Sequence, residues 1–78
     1  HIIDGLTPSQ IGFLQAVADG VSSFTSQAVL AKYRLGSSAN VKNIKQALEK
    51  KELIDIQPGR IEIQDPVLKF WMLREYRK

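Results

Sequence analysis

Apolar residues recur at helical spacing through the first half of the chain. Ile11, Leu14, Val17 and Ala18 share one face of a 3.6-residue period, which predicts a first helix. Gly20 ends this run, as glycine often does just past a helix C-terminus. A capping box with a proline at the first helical position precedes it, in the sequence Thr7-Pro8-Ser9-Gln10.

Two further helices are predicted on either side of a turn that contains glycine. The second helix opens at Thr25 or Ser26 and ends near Gly36, and the third opens at Ser37 or Ser38 and runs to about residue 51. Two helices joined by about four residues with a glycine are typical of a helix-turn-helix. The apolar stripe of the third helix consists of Val41, Ile44, Ala47 and Leu48.

Beyond residue 51 the period of the pattern changes from helical to two. Ile54 and Ile56 alternate with polar residues, and so do Ile61 and Ile63. Pro58-Gly59 separates the two runs, so the pattern predicts a β-hairpin with one apolar face. Because proline cannot adopt the positive φ that a type I′ or II′ turn needs at its first position, we expect a longer loop that includes residues 57–60.

A fourth helix is predicted after the hairpin, opened by an Asp65-Pro66 cap. Its first broad apolar face, which we assign to the core, contains Val67, Phe70, Trp71 and Leu73. A second apolar stripe on the other side contains Leu68, Met72 and Tyr76. This stripe predicts a partner interface, either with an upstream domain or in a homodimer through the C-terminal helix. The alternative is that residues 1–6, which include Ile2, Ile3 and Leu6, fold back over it.

Together these elements predict a mainly α fold with a small β-hairpin, namely a winged helix-turn-helix with an extra C-terminal helix. A chain of 78 residues has room for one core, so we expect a single domain over residues 1–78. The predicted core residues are Ile11, Leu14, Val17, Val29, Val41, Ile44, Leu48, Ile54, Ile63 and Trp71.

Composition excludes several classes of function. The chain has no cysteine, which excludes disulfides and thiolate metal sites and fits a reducing, cytoplasmic location. No apolar run is long enough to span a membrane. The single histidine is His1, and the chain lacks a Gly-x-x-x-x-Gly-Lys phosphate loop, so we expect neither a catalytic site nor a cofactor in this segment. Because the sequence starts at His1 and not at a methionine, we expect it to be part of a longer protein.

The positive charge of the chain is concentrated around the third helix. Residues 32–51 carry six lysines and arginines against Glu49 alone, a net charge of +5, whereas the rest of the chain carries −2. A basic stretch on a recognition helix is typical of double-stranded DNA binding, because the major groove admits a helix and lysine, asparagine and glutamine pair with base edges. The predicted DNA-contacting residues on helix 38–51 and the wing are Ser37, Ser38, Lys42, Asn43, Lys45, Gln46 and Arg60.

A second interpretation gives these polar side chains no DNA role. An amphipathic helix needs a solvated face, and winged helices also serve as protein-contact modules. The alternative function is therefore a protein–protein or interdomain contact module.

Residues 30–54 resemble winged-helix regulators in general, which often carry a glycine where the third helix passes into the hairpin. Glu52 stands at that position, so we expect this turn to be built differently.

Three segments carry a closer resemblance, and they are Leu6-Thr7-Pro8-Ser9-Gln10, Leu35-Gly36-Ser37-Ser38-Ala39-Asn40-Val41 and Asp65-Pro66-Val67-Leu68-Lys69-Phe70-Trp71. They resemble the C-terminal winged-helix domain of prokaryotic P-loop ATPases of the archaeal-type family, related to the STAND/AAA class. The resemblance implies an upstream ATPase domain that binds ATP and Mg²⁺.

Overall fold

The computed structural model describes residues 5–76, with side chains through residue 74. Three helices come first: α1 (Pro8–Ala18), α2 (Gln27–Lys32) and α3 (Ser38–Lys50). The strands β1 (Ile54–Gln57) and β2 (Arg60–Ile63) form an antiparallel hairpin, and α4 (Pro66–Trp71) continues into a π-helical turn, Met72–Tyr76. The predicted fold class is confirmed.

Each α-helix begins at a side-chain cap. Thr7 and Gln10 form both halves of the predicted capping box, with N–O distances of 3.2 and 3.0 Å. Of the alternative caps, Ser26 opens α2 and Ser37 opens α3. Asp65 caps α4 by accepting hydrogen bonds from two first-turn amides. These caps form because each uses residues within three positions of one another, so local sequence decides them.

The first three helices end with a residue in the left-handed conformation. These residues are Gly20, Arg34 and Glu52, with φ of 82°, 58° and 60°. At the end of α3 the amide of Glu52 donates to the carbonyl of Glu49, and that of Leu53 donates to Leu48, at 2.9 and 3.0 Å. This pair of bonds is a Schellman motif. The expectation of a different turn at Glu52 is therefore wrong, because glutamate adopts the conformation usually given to glycine.

The hairpin turn is tighter than the sequence predicts. Gln57 pairs with Arg60 in the strand register, so only Pro58 and Gly59 lie in the loop. Gly59 has φ of 82°, and proline followed by a glycine with positive φ suits a type II turn. The prediction of a longer loop is wrong because proline excludes the primed turns but suits the first loop position of a type II turn.

The core lies between α1, the inner face of α3, the hairpin and the last helix. Six of the ten predicted core residues are buried, and Ile11, Val17, Val29 and Trp71 are partly buried against them. Phe24, in the connection between α1 and α2, stacks on Phe13 with ring centroids 4.7 Å apart. The fully buried large side chains are Phe13, Leu14, Leu35, Leu48, Ile54, Leu68 and Met72.

Helix α4 presents to the core the face that the sequence assigned to the outside. Leu68 and Met72 are both 0% exposed, whereas Val67 and Phe70 are 75% and 61% exposed. The prediction that Leu68 and Met72 line a partner interface is therefore wrong. Arg74 lies on the same side as Phe70, 5.7 Å from its ring centroid, and a guanidinium group requires water, so this face turns outward.

The remaining interface residue, Tyr76, has a side chain outside the described part of the structure, as do Ile2 and Ile3 of the predicted fold-back segment. Leu6 of that segment is partly buried against the core.

Candidate nucleic-acid interface

The turn between α2 and α3 is held by contacts on both sides. The hydroxyl of Tyr33 donates to a carboxylate oxygen of Asp19 at 2.8 Å, and the side chain of Leu35 is fully buried. The side-chain amide of Asn40 donates to the carbonyl of Leu35 at 2.7 Å. These contacts fix the direction in which α3 leaves the turn, so the outer face of α3 has one orientation relative to the core.

Helix α3 separates an apolar face from a polar one. Val41, Ile44 and Leu48 are buried, and the opposite side is exposed over 13 residues, a length of about 20 Å. We call this side the outer face of α3. Its exposed residues are Ser38, Ala39, Lys42, Asn43, Gln46, Glu49 and Lys50.

The two serines predicted to contact DNA, at the N-terminus of α3, have different surroundings. The hydroxyl oxygen of Ser37 accepts the amide hydrogen of Asn40 at 3.2 Å, so it already serves the helix cap. Ser38 is exposed in the first turn, where backbone amides have no acceptor within the helix. Ser38 is therefore the better placed of the two for a phosphate contact.

Lys45 lies apart from the other predicted base-contacting side chains. It is partly buried on the flank of α3 and lines a groove of about 500 Å³ beside the hairpin. Arg60 and Lys69 line the same groove. The structure thus brings Lys45 and Arg60 together, and it adds Lys69, which sequence reasoning missed because nothing in the local pattern of α4 indicates its proximity to the hairpin.

Arg60 lies in β2, at the first position after the turn. Its guanidinium contacts the carboxylate of Glu62 at 2.6 Å, and the two side chains are 64% and 42% exposed. A surface ion pair of this kind contributes little free energy, so another anion can readily take the place of Glu62. A phosphate approaching Arg60 competes with Glu62, so Arg60 is a weaker contact than an unpaired arginine would be.

Within residues 5–76 no cluster of three metal-ligating side chains occurs. No helix in the same part of the chain is long and apolar enough to cross a membrane.

A helix-turn-helix whose second helix exposes a polar face, followed by a two-stranded hairpin, defines a domain of the winged-helix class. A family model described as a probable winged helix domain matches residues 1–74, and the chain belongs to this family. Winged-helix domains are typically non-catalytic modules of the DNA-binding type. No curated protein and no solved structure matches the chain.

Proposed function

We propose that the domain is a non-catalytic module that binds double-stranded DNA through the outer face of α3. The observation that carries the proposal is the division of α3 into a buried apolar face and an exposed face of hydrogen-bonding side chains. Helix α3 is held by the turn before it, in which Tyr33 and Leu35 are buried, and by the Schellman motif after it, so its outer face has a fixed orientation relative to the core.

The side chains on this face suit the chemistry of DNA. Asn43 and Gln46 are exposed one turn apart, and carboxamides pair with adenine N6 and N7 in the major groove. Lys42 and Lys50 donate to guanine O6 and N7 or to phosphates. Glu49 is the only acidic residue on this face, so the approach of a polyanion is favoured there.

The hairpin supplies a second contact in this proposal. Lys45 and Arg60 line the groove beside the wing, and Ser37 and Ser38 stand at the start of α3. Phosphate contacts at these positions orient the helix, and the outer face of α3 then reads the bases.

Fluorescence anisotropy with a random duplex tests the proposal. If about four cations neutralise phosphates, the logarithm of the affinity falls with the logarithm of salt concentration at a slope of about −3.6. Replacing Lys42 and Lys45 by alanine reduces the magnitude of this slope. The absence of binding at about 100 µM protein and low salt, a concentration at which non-specific binding is normally seen, overturns the proposal.

A charge-matched pair of variants distinguishes DNA binding at a defined site from general attraction of DNA to the positive charge of the protein. Lys42→Gln and Arg74→Gln each remove one exposed cation. The first cation lies on the outer face of α3, and the second lies in the π-helical turn after α4. Only Lys42→Gln weakens binding if α3 contacts DNA. Equal weakening by both indicates attraction to net charge alone.

A second candidate function is contact with another protein domain, and the exposed pair Val67 and Phe70 favours it. In the parent protein suggested by the sequence resemblance, the partner is an upstream P-loop ATPase domain, which binds ATP and Mg²⁺. On the ground of the same sequence resemblance, we propose that the protein is prokaryotic and acts in the cytoplasm. Replacing Val67 and Phe70 by lysine abolishes association with that domain, or homodimer formation, at nearly unchanged stability, because both side chains are exposed.

A further inference from the structure

The outer edge of β2 has unused backbone hydrogen-bonding groups. Gln64 N–H donates to the carbonyl of Leu53 at 2.8 Å, one pair beyond the end of the hairpin ladder. Hydrogen-bonded and non-bonded pairs alternate in an antiparallel ladder, so the bonded pairs are Asp55 with Glu62 and Gln57 with Arg60.

The backbone groups of Ile61 and Ile63 therefore point away from β1. Among residues 5–76, no other segment donates to them or accepts from them.

A groove runs along this same edge. The five consecutive residues 59–63 all line it, although successive side chains of a strand point to opposite faces. Ile56 and Gln57 of β1 also line the groove, so it extends beside β2 and over part of the hairpin face. Gly20, Val21, Ser22 and Phe24 form the opposite wall, and residues 21–23 are neither helix nor strand.

We propose that this edge binds an extended, acidic peptide segment of a partner protein as a third strand. The backbone of such a segment bonds to Ile61 and Ile63, and its alternate apolar side chains occupy the groove, which has a volume of about 500 Å³. Pairing with a free strand edge supplies affinity through main-chain bonds, and pockets for alternate side chains supply specificity.

The charges around the groove select an acidic segment. Lys45, Arg60 and Lys69 line it, and Glu62 is the only acidic side chain among the lining residues. Because Glu62 pairs with Arg60, the two lysines remain for carboxylates of the ligand. Complementary charges of this kind raise the association rate and exclude basic segments.

A second copy of the chain fits this edge less well. The β2 strand of that copy carries its own wall, residues 20–24, along the edge that would have to pair. The groove therefore admits a single isolated strand and not the edge of another folded domain.

Peptide titration followed by amide NMR tests the proposal. The probe is a fluorescein-labelled hexapeptide in which valine alternates with aspartate. We expect binding, with the largest shifts at the amides of Ile61 and Ile63. The same peptide N-methylated on its inward-facing amides binds about fivefold more weakly, as expected when main-chain bonds are lost. Equal affinity for both peptides, or no binding at about 1 mM, a weak-affinity limit, overturns the proposal.

Two variants on opposite edges of the hairpin provide the matched control. Ile61→Pro removes an outward amide from β2, and Ile56→Pro removes one from the far edge of β1. Because both residues line the groove, each proline variant is compared with the alanine variant at the same position, which loses the side chain but keeps the amide. Proline is tolerated at both positions because neither amide belongs to the ladder. Only Ile61→Pro lowers peptide affinity below that of its alanine variant if the edge of β2 is the site, provided that circular dichroism shows both proline variants folded.

Lys69→Gln, whose exposed side chain lies outside the ladder, covers the case in which a proline variant unfolds. It reduces affinity for the aspartate peptide about twofold, the effect of one exposed ion pair, and leaves a valine–serine peptide unaffected. Loss of affinity for both peptides, or for neither, contradicts the proposal that the lysines select an acidic ligand. Concentration-dependent dimerisation that the peptide cannot compete away assigns the edge to a second copy instead.

Discussion

Gly12 is a point of close approach between α1 and the turn that precedes α3. A Cβ atom built at this position lies 2.1 Å from the carbonyl oxygen of Tyr33, well inside van der Waals contact. The contact atom is backbone, so it cannot move as the end of a flexible side chain can. No sequence pattern indicates this requirement, because Gly12 stands inside a regular helical pattern and the atom that it must accommodate is 21 positions away.

Replacing Gly12 by alanine should separate α1 from the α2–α3 turn. We expect a loss of about 1–3 kcal/mol in the free energy of unfolding, the usual cost of overpacking, measured by urea denaturation. Gly5→Ala is the control, since its Cβ meets nothing within 4 Å. A Gly12→Ala protein as stable as the control contradicts the tight approach.

Glu52 holds a left-handed conformation that glycine adopts without strain. A non-glycine residue in this region costs roughly 1–2 kcal/mol of stability. Glycine removes that cost, but part of the gain is offset because glycine has greater conformational freedom in the unfolded chain. Glu52→Gly should therefore stabilise the domain by about 0.5–1 kcal/mol, seen as a higher urea midpoint at unchanged m-value. Glu49→Gly, inside α3, should instead cost about 1 kcal/mol. Destabilisation by both variants would contradict the strain at residue 52.

At the scale of elements, the helices and strands follow from the sequence, but the orientation of α4 does not. The caps at Thr7, Ser26, Ser37 and Asp65 are local interactions, and periodicity alone locates α1, α3 and the hairpin. Helix α4 is apolar on both sides, so its own pattern contains no contrast that selects the buried face. Packing of α4 against β2, and of the following π-helical turn against α1, decides it, and that packing is a tertiary property.

The orientation of α4 can be checked by truncating its two faces separately. Leu68→Ala should cost about 2–5 kcal/mol, as expected for a fully buried leucine, and Leu48→Ala in α3 should cost a similar amount. Phe70→Ala should stay within about 0.5 kcal/mol because that side chain is exposed. Thermal or urea unfolding of the three variants measures this. A larger loss of stability for Phe70→Ala than for Leu68→Ala would instead support the orientation that the sequence pattern favoured.

At the scale of the whole molecule, the candidate DNA site was predictable only in part. Lys42, Asn43 and Gln46 share one exposed face because helical periodicity places them there. The proximity of Lys45, Arg60 and Lys69 could not be predicted, since it depends on how the hairpin and α4 fold back over α1 and α3. The free edge of β2 likewise becomes visible only when the register of the hairpin is known.

The two proposed binding surfaces overlap at the groove beside the wing. Lys45 and Arg60 belong to both, and the whole domain measures only 29 × 27 × 23 Å. The Debye length is about 8 Å at physiological ionic strength and about 30 Å at 0.01 M salt. A bound duplex and a bound acidic peptide therefore repel each other noticeably at low salt and little at high salt.

This proximity predicts a weak, salt-dependent antagonism between the two ligands. Saturating duplex should weaken peptide binding about threefold at low salt and hardly at all near 0.3 M salt, where charges are screened. Peptide should weaken duplex binding by the same factor, because coupling free energies are reciprocal. Anisotropy titrations of the labelled peptide, with and without unlabelled duplex, measure the coupling. Complete competition at every salt concentration would mean that the duplex blocks the whole β2 groove and not only Lys45 and Arg60, and the two surfaces would then have to be one.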